Sequence, residues 1–285
     1  MTLPRAIGGL VAFVGLALGG CGSSSGGAVN VPHVEPARQF TLAGFQPSAP
    51  VPAGRPTTIA FRVQMPDGKP LTSYKTGSGP HTGIHLIIVR DDLAYIIHQH
   101  PPVGAGGQLR QPITFPAPGP YKVLADVYPN IPGGPPNFQL FRTVRIAGSY
   151  KPRALPRFKP SQVIAGYHFD MQSNPHLHAI QAQFINVSVR DSRGRSVKSA
   201  PWFGALAHAL FVSQGSLDYF HTHVCGPGAA NGASVIGASS VTGTATAPGK
   251  LRLGVLLPVP GAWRLFLQMK LGGRIITAPY TLRVR

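Results

Sequence analysis

Residues 85–101 read HLIIVRDDLAYIIHQHP, and residues 208–224 read HALFVSQGSLDYFHTHV. Each stretch is two apolar runs around a short polar break, the pattern of a β-hairpin. His85, His98 and His100 in the first copy recur at the same spacing as His208, His221 and His223 in the second. If the turns are the two-residue segments Asp91-Asp92 and Gln214-Gly215, His85 faces His98 and His208 faces His221. Directly opposed residues share a face, with Cβ atoms roughly 4.5–5.5 Å apart. His100 and His223, two residues on, share that face too. The same register sets Gly83 opposite His100, leaving room for an ion, and Leu206 opposite His223, leaving less. The first copy is therefore the better candidate site. In the second copy the histidine face continues as Leu210, Val212, Leu217 and Tyr219, which places it on the core side at its rim. In the first copy both faces are apolar and the choice stays open.

The strand pattern extends outward from these hairpins. FTLAGF, TTIAFRVQM, LRQPITF, YKVLADVY and FQLFRTVRI alternate with breakers such as Pro66-Asp67-Gly68-Lys69. No segment beyond the N-terminus holds a helical period. Thirty Pro and 35 Gly punctuate the chain. This predicts an all-β chain of two tandem antiparallel β-sandwich modules, Ig-like or cupredoxin-like, with about seven strands each. Module 1 spans 39–148, a Pro/Arg-rich linker 149–161, and module 2 162–285. Pro118-Gly119-Pro120-Tyr121 in the first module is matched by Pro260-Gly261-Ala262-Trp263 in the second. A Gly/Ala/Ser-rich stretch, 225–250, is extra in the second copy and reads as a floppy loop.

The N-terminus points to export. Arg5 precedes an apolar run from Ala6 to Leu18, too short for the ~20 residues of a membrane span and suited to a signal peptide over 1–20. Leu18-Gly19-Gly20-Cys21 resembles a bacterial lipobox. The resemblance implies cleavage before Cys21, a lipid on its sulfur, and a flexible tether over 21–38. The expected location is the bacterial cell envelope, on the outer face of the membrane. With Cys21 lipidated, Cys225 is the one remaining thiol of the two cysteines, so no intramolecular disulfide forms.

The chain carries 26 Lys+Arg against 8 Asp+Glu, a net charge of +18. The basic residues are dispersed rather than set in a stripe with stacking aromatics, which argues against nucleic acid. Anionic lipid headgroups or cell-wall polymers are the better electrostatic partners.

The modules resemble a group of uncharacterised bacterial extracytoplasmic proteins, some labelled metal-binding. Their pattern is His, strand, turn, Asp-Leu-x-Tyr, strand, His-x-His-Pro, then Pro-Gly-x-Tyr. His98-Gln99-His100-Pro101 and Pro118-Gly119-Pro120-Tyr121 carry the resemblance in the first module. His221-Thr222-His223 and Pro260-Gly261-Ala262-Trp263 carry it in the second, where Val224 stands in place of the proline. The resemblance implies an Ig-like or cupredoxin-like fold and an extracytoplasmic location more firmly than an activity.

Three imidazoles on adjacent strands suit Zn(II) or Cu(II). His85, His98, His100, His208, His221 and His223 are the expected ligands, one site per module, with His81 and Cys225 as further candidates. His176 and His178 form another His-x-His pair without a counterpart. Only four Met occur, which disfavours a Cu(I) shuttle, and the blue-copper Cys/His/Met spacing is absent. A zinc hydrolase would need a helper near the ion, and Asp126, matched by Gln268, is the sole candidate. No catalytic triad, phosphate loop or carboxylate pair is present. The sequence thus points to a non-enzymatic lipoprotein that binds or buffers a divalent metal. The rival is a structural lipoprotein whose sandwiches bind a protein or wall polymer and whose histidines only pack.

Overall fold

A computed structural model describes residues 39–75, 83–171, 175–226, 234–236 and 239–285. The expected signal peptide and tether, with Cys21 and His81, lie outside the described residues. From Gln39 to Arg285 the described residues belong to one compact unit, and it is all-β apart from a single 3₁₀ turn.

The first half holds β1 (Thr41–Gln46), β2 (Val51–Pro52), β3 (Pro56–Gln64), β4 (Ile84–Arg90), β5 (Ile96–Gln99), β6 (Gln108–Thr114), β7 (Gly119–Val127) and β8 (Phe138–Ala147). They form two sheets, β1-β3-β6 and β2-β8-β7-β4-β5, with β2 parallel to β8. This is the strand order of an immunoglobulin-like sandwich. Alternate residues of each strand, among them Ile59, Phe61 and Val63 against Leu86, Ile88 and Val123, fill the core between the sheets.

The second half holds β9 (Ser161–Ile164), β10 (Tyr167–Met171), β11 (Gln183–Arg190), β12 (Ala207–Ser213), β13 (Tyr219–Cys225), β14 (Ser234–Ile236), β15 (Ser239–Val241), β16 (Gly243–Ala247), β17 (Lys250–Val255), β18 (Gly261–Leu271) and β19 (Arg274–Val284). Here β19-β18-β12-β13 and β17-β11-β10-β9 correspond to the two layers of the first half. They are joined into one hydrogen-bonded sheet through β16, which pairs parallel with β13 and antiparallel with β17. The Gly/Ala/Ser-rich stretch is therefore not simply a loop. It supplies the strand that closes the sandwich, and β14 and β15 pair as a separate ribbon.

Both Pro-Gly motifs are corners at the start of the long strands β7 and β18. Tyr121 donates its hydroxyl to the Ala117 carbonyl at 3.0 Å, and Trp263 Nε1 donates to the Val259 carbonyl at 3.1 Å. The buried ring pins the turn to the strand that follows it. Gly119, at φ +125°, cannot be replaced freely: a Cβ there would lie 2.6 Å from the Tyr150 ring.

The histidine hairpins are β4–β5 and β12–β13, and their register differs from the sequence expectation. Ile87 pairs with His98, and Leu210 with His221. Arg90 N donates to Tyr95 O, and Ser213 N to Asp218 O. The loops thus run over 91–94 and 214–217 rather than over two residues. Each carries one leucine in the left-handed region, Leu93 at φ 58° and Leu217 at φ 56°. Such a conformation costs of order 1–3 kcal/mol, and burial of both side chains offsets it. The longer loop shifts every pairing by two positions. Because the side-chain period of a strand is also two, the histidines stay on one face. His208 now faces His223, not His221, so Leu206 is not opposite His223. The same shift removes Gly83 from opposite His100 and brings His85 there instead.

That face is neither a solvent rim nor a sandwich core. Ile87, Val89, Leu93 and Leu124 of the first half pack against Leu210, Val212, Leu217, Tyr219 and Phe266 of the second. The hairpins lie face to face across the junction of the halves. Every residue of β4, β12 and β13 is buried, because one face serves its own sandwich and the other serves the junction. This is why both faces of the first copy are apolar. The linker is fastened along the way. Arg153 N donates to Asp92 Oδ2 at 2.9 Å, Leu155 packs into the junction, and Phe158 packs on the second core.

Candidate metal centre

At the open ends of the two hairpins the apolar junction gives way to imidazole. His85 comes from β4, His98 from β5 and His100 from just after it. His208 comes from β12, and His221 and His223 from β13. The six rings form one cluster. His85 lies 4.4 Å from His100, 5.0 Å from His221 and 5.6 Å from His223, centroid to centroid. His98 lies 5.0 Å from His208 and 5.1 Å from His221. The expectation of one site per module is therefore corrected: both copies contribute to a single centre, because the faces that carry the histidines are the faces that meet.

Two triads converge closely enough to share an ion. The ligand atoms of His85, His221 and His223 lie within 4.8 Å of one another, as do those of His98, His208 and His221. All five residues are buried. Each triad draws from both halves, so neither half builds one alone.

Neighbours decide which nitrogen of three rings carries the lone pair. Asp126, across from His85 in the β4–β7 register, lies with Oδ2 3.5 Å from His85 Nδ1. Gln268 Oε1 is 3.2 Å from His98 Nδ1, and the Trp202 carbonyl is 2.8 Å from His208 Nε2. All three partners are acceptors, so these ring nitrogens donate. Lone pairs are left on His85 Nε2, His98 Nε2 and His208 Nδ1. Orientation of this kind is what the ligands of a metal site receive from their neighbours. Asp126 is itself held by the Tyr128 hydroxyl at 3.3 Å and Asn137 Nδ2 at 3.2 Å.

Spacing and protonation fit a metal. At Zn–N distances of 2.0–2.1 Å, tetrahedral ligand nitrogens sit about 3.3 Å apart. His208 Nδ1 is 3.1 Å from His221 Nε2, and His98 Nε2 is 3.1 Å from His100 Nε2. Ligating imidazole must be neutral, and four of the rings, His98, His100, His208 and His221, are held so. Burial, then repulsion from His208, His100 and His85, drives His98 well below the usual histidine range. Burial does the same to His221, followed by repulsion from His223 and the other rings. Burial, with His85 and His208, takes His100 down to about 2, and burial takes His208 to about 4 against the opposing Trp202 hydrogen bond.

The other candidates lie outside the two triads. His100 is half-buried, outside both triads, and stacked on Phe203 at 3.8 Å and 9°. Cys225 ends β13 opposite Thr244, and burial pushes its thiol up, away from the ligating thiolate. It enters neither triad. His176 and His178 are exposed on either side of the buried Leu177. Sequence reasoning paired Gln268 with Asp126 but missed its contact with His98, since that contact crosses between halves. Trp202 was missed because it acts through its backbone carbonyl, which no side-chain pattern reports.

Residues 39–132 and 161–285 match the family described as Domain of unknown function (DUF8832). The chain belongs to this family. No curated protein matches it. Three similar solved structures are distant ones. The Lin-41 filamin domain is 16% identical with a TM-score of 0.28, covering 45% of this chain and 98% of its own. The fibronectin(III)-like modules of Clostridium thermocellum CbhA are 12% identical with a TM-score of 0.22, covering 86% and 93%. A Salmonella alpha-2-macroglobulin mutant is 12% identical with a TM-score of 0.26, covering 87% of this chain and 15% of its own.

Proposed function

We propose that this member of the DUF8832 family is an extracytoplasmic lipoprotein that binds or buffers a divalent transition metal, Zn(II) or Cu(II). The metal sits in the histidine centre between the two sandwich halves. The convergence of two buried triads, with neighbours fixing the lone pairs, carries the reading. Packing alone is a poor account of it. Six imidazoles drawn together at a desolvated junction are costly, and leucines like those further along the same face would stabilise it more. All-nitrogen donors suit zinc and copper(II) rather than Cu(I). The signal-like N-terminus and Cys21 support export and lipid anchoring, and the +18 net charge supports association with anionic lipid or wall polymer. The reading is non-enzymatic. Asp126, the one acid singled out as a helper, is engaged by His85, Tyr128 and Asn137.

The test is metal content and affinity of the full chain purified without chelator, beside a His98→Ala/His208→Ala variant. Wild type should retain zinc or copper(II) tighter than micromolar, about −8 kcal/mol, and the variant should lose metal. Failure of the wild type to bind either metal at that level would falsify the proposal and turn attention to a protein or polymer partner.

A further inference from the structure

We infer that the centre holds two metal ions, bridged by the ring of His221. This rests on the metal-binding reading above and states how many ions the centre takes and which residue joins them. The two triads, His85/His221/His223 and His98/His208/His221, have one member in common. Six imidazoles also exceed the four donors of a tetrahedral ion. The ligand atoms that lie close together fall into two such triads rather than into one set around a single point.

The nitrogens divide between the triads. His221 Nε2 lies 3.1 Å from the lone-pair nitrogen of His208, so it serves the His98/His208 ion. That leaves Nδ1 as the atom that can serve an ion shared with His85 and His223, whose rings lie 5.0 and 4.3 Å from His221. Each triad has its own orienting neighbours. Asp126 sets His85 in one, while Gln268 and the Trp202 carbonyl set His98 and His208 in the other. His100 stands beside the second triad on its half-buried side, with Nε2 3.1 Å from His98 Nε2.

For one ring to bind two ions, its remaining N–H bond breaks, a nitrogen–metal bond forms, and the proton leaves to solvent. No electron is transferred. The resulting imidazolate and the Asp126 carboxylate lie beside four positive charges. Because only one triad has a carboxylate behind it, that triad, His85/His221/His223, is expected to fill first.

Copper(II) is the probe. The full chain is titrated while bound copper is quantified and electron paramagnetic resonance spectra are taken at one and two equivalents. The expected result is two equivalents, with a mononuclear signal at one. At two, spin intensity should drop below half that of two isolated ions, because an imidazolate couples them. His223→Ala and His208→Ala should each keep one uncoupled ion, and His221→Ala should lose the coupling. One equivalent in the wild type, or two uncoupled ions, overturns the bridge and leaves the metal-binding function standing. No bound copper or zinc overturns both. The wild-type titration decides the matter even where a variant fails to fold.

Discussion

Asp126→Asn is the substitution that most directly probes the centre. The carboxylate is buried and accepts from His85 Nδ1, the Tyr128 hydroxyl and Asn137 Nδ2. Asparagine keeps the shape but has one acceptor oxygen, and its amide must face at least one of these donors. The loss of a hydrogen bond to a charged group is worth about 1.5–3 kcal/mol, so the metal-free protein should be destabilised by that amount in urea. His85 loses the partner that holds its proton on Nδ1 and orients Nε2. Disturbing such a partner weakens metal affinity about 10–100-fold, or roughly 1.4–2.7 kcal/mol. Competition against a chromophoric zinc chelator would read the affinity, and denaturation of the metal-free form would read the stability. A variant that loses stability but keeps wild-type zinc affinity would refute the assignment of His85 as a ligand oriented by Asp126.

Three further outcomes are expected. The metal-free protein should weaken as pH falls below 6.5. The folded state holds His100 and His208 neutral down to about 2 and about 4, while the unfolded chain takes up their protons. The loss is about 1.4 kcal/mol per pH unit for each histidine kept neutral. A urea midpoint that does not drop between pH 7 and pH 5 would contradict the buried cluster. Arg90→Ala should cost about 3–5 kcal/mol, because Arg90 makes a bidentate pair at 2.7–2.8 Å with Asp92, and both side chains are buried. Burial alone would raise the Asp92 carboxyl, but Arg90 and the Arg153 and Ala94 amides outweigh it and hold it low. A change below 1 kcal/mol in chemical denaturation would show that those two amides suffice. Tyr121→Phe should cost about 1 kcal/mol by removing the hydroxyl bond to Ala117, and an unchanged thermal midpoint would show the corner is held by packing alone.

Much of the strand inventory was readable from one dimension, because strand formation rests on local alternation and on turn residues. The error in the hairpins is instructive. Asp91-Asp92 and Gln214-Gly215 look like complete two-residue turns, yet Leu93 and Leu217 join the loops. Their apolar side chains earn a place there only through contacts with the opposite half. Local propensity holds no record of such contacts. The stretch after Cys225 was misjudged for a related reason. Its small residues carry no strand signal, and β16 forms because β13 and β17 offer it hydrogen-bonding edges.

The sequence by itself determined the all-β class, the internal duplication and the placement of three histidines on one face of each hairpin. These follow from a side-chain period of two, which survives a shift of register by two. Only the tertiary structure decided that the two histidine faces meet. Whether a sheet face lies against solvent or against another sheet depends on residues distant in the chain. In β4 the apolar positions alternate with equally apolar ones, and nothing in that strand says which set faces its own sandwich. The packing of Ile87, Val89 and Leu124 on Leu210, Val212 and Phe266 settles it. By bringing the open ends of the hairpins together, it turns two separate histidine sets into one centre.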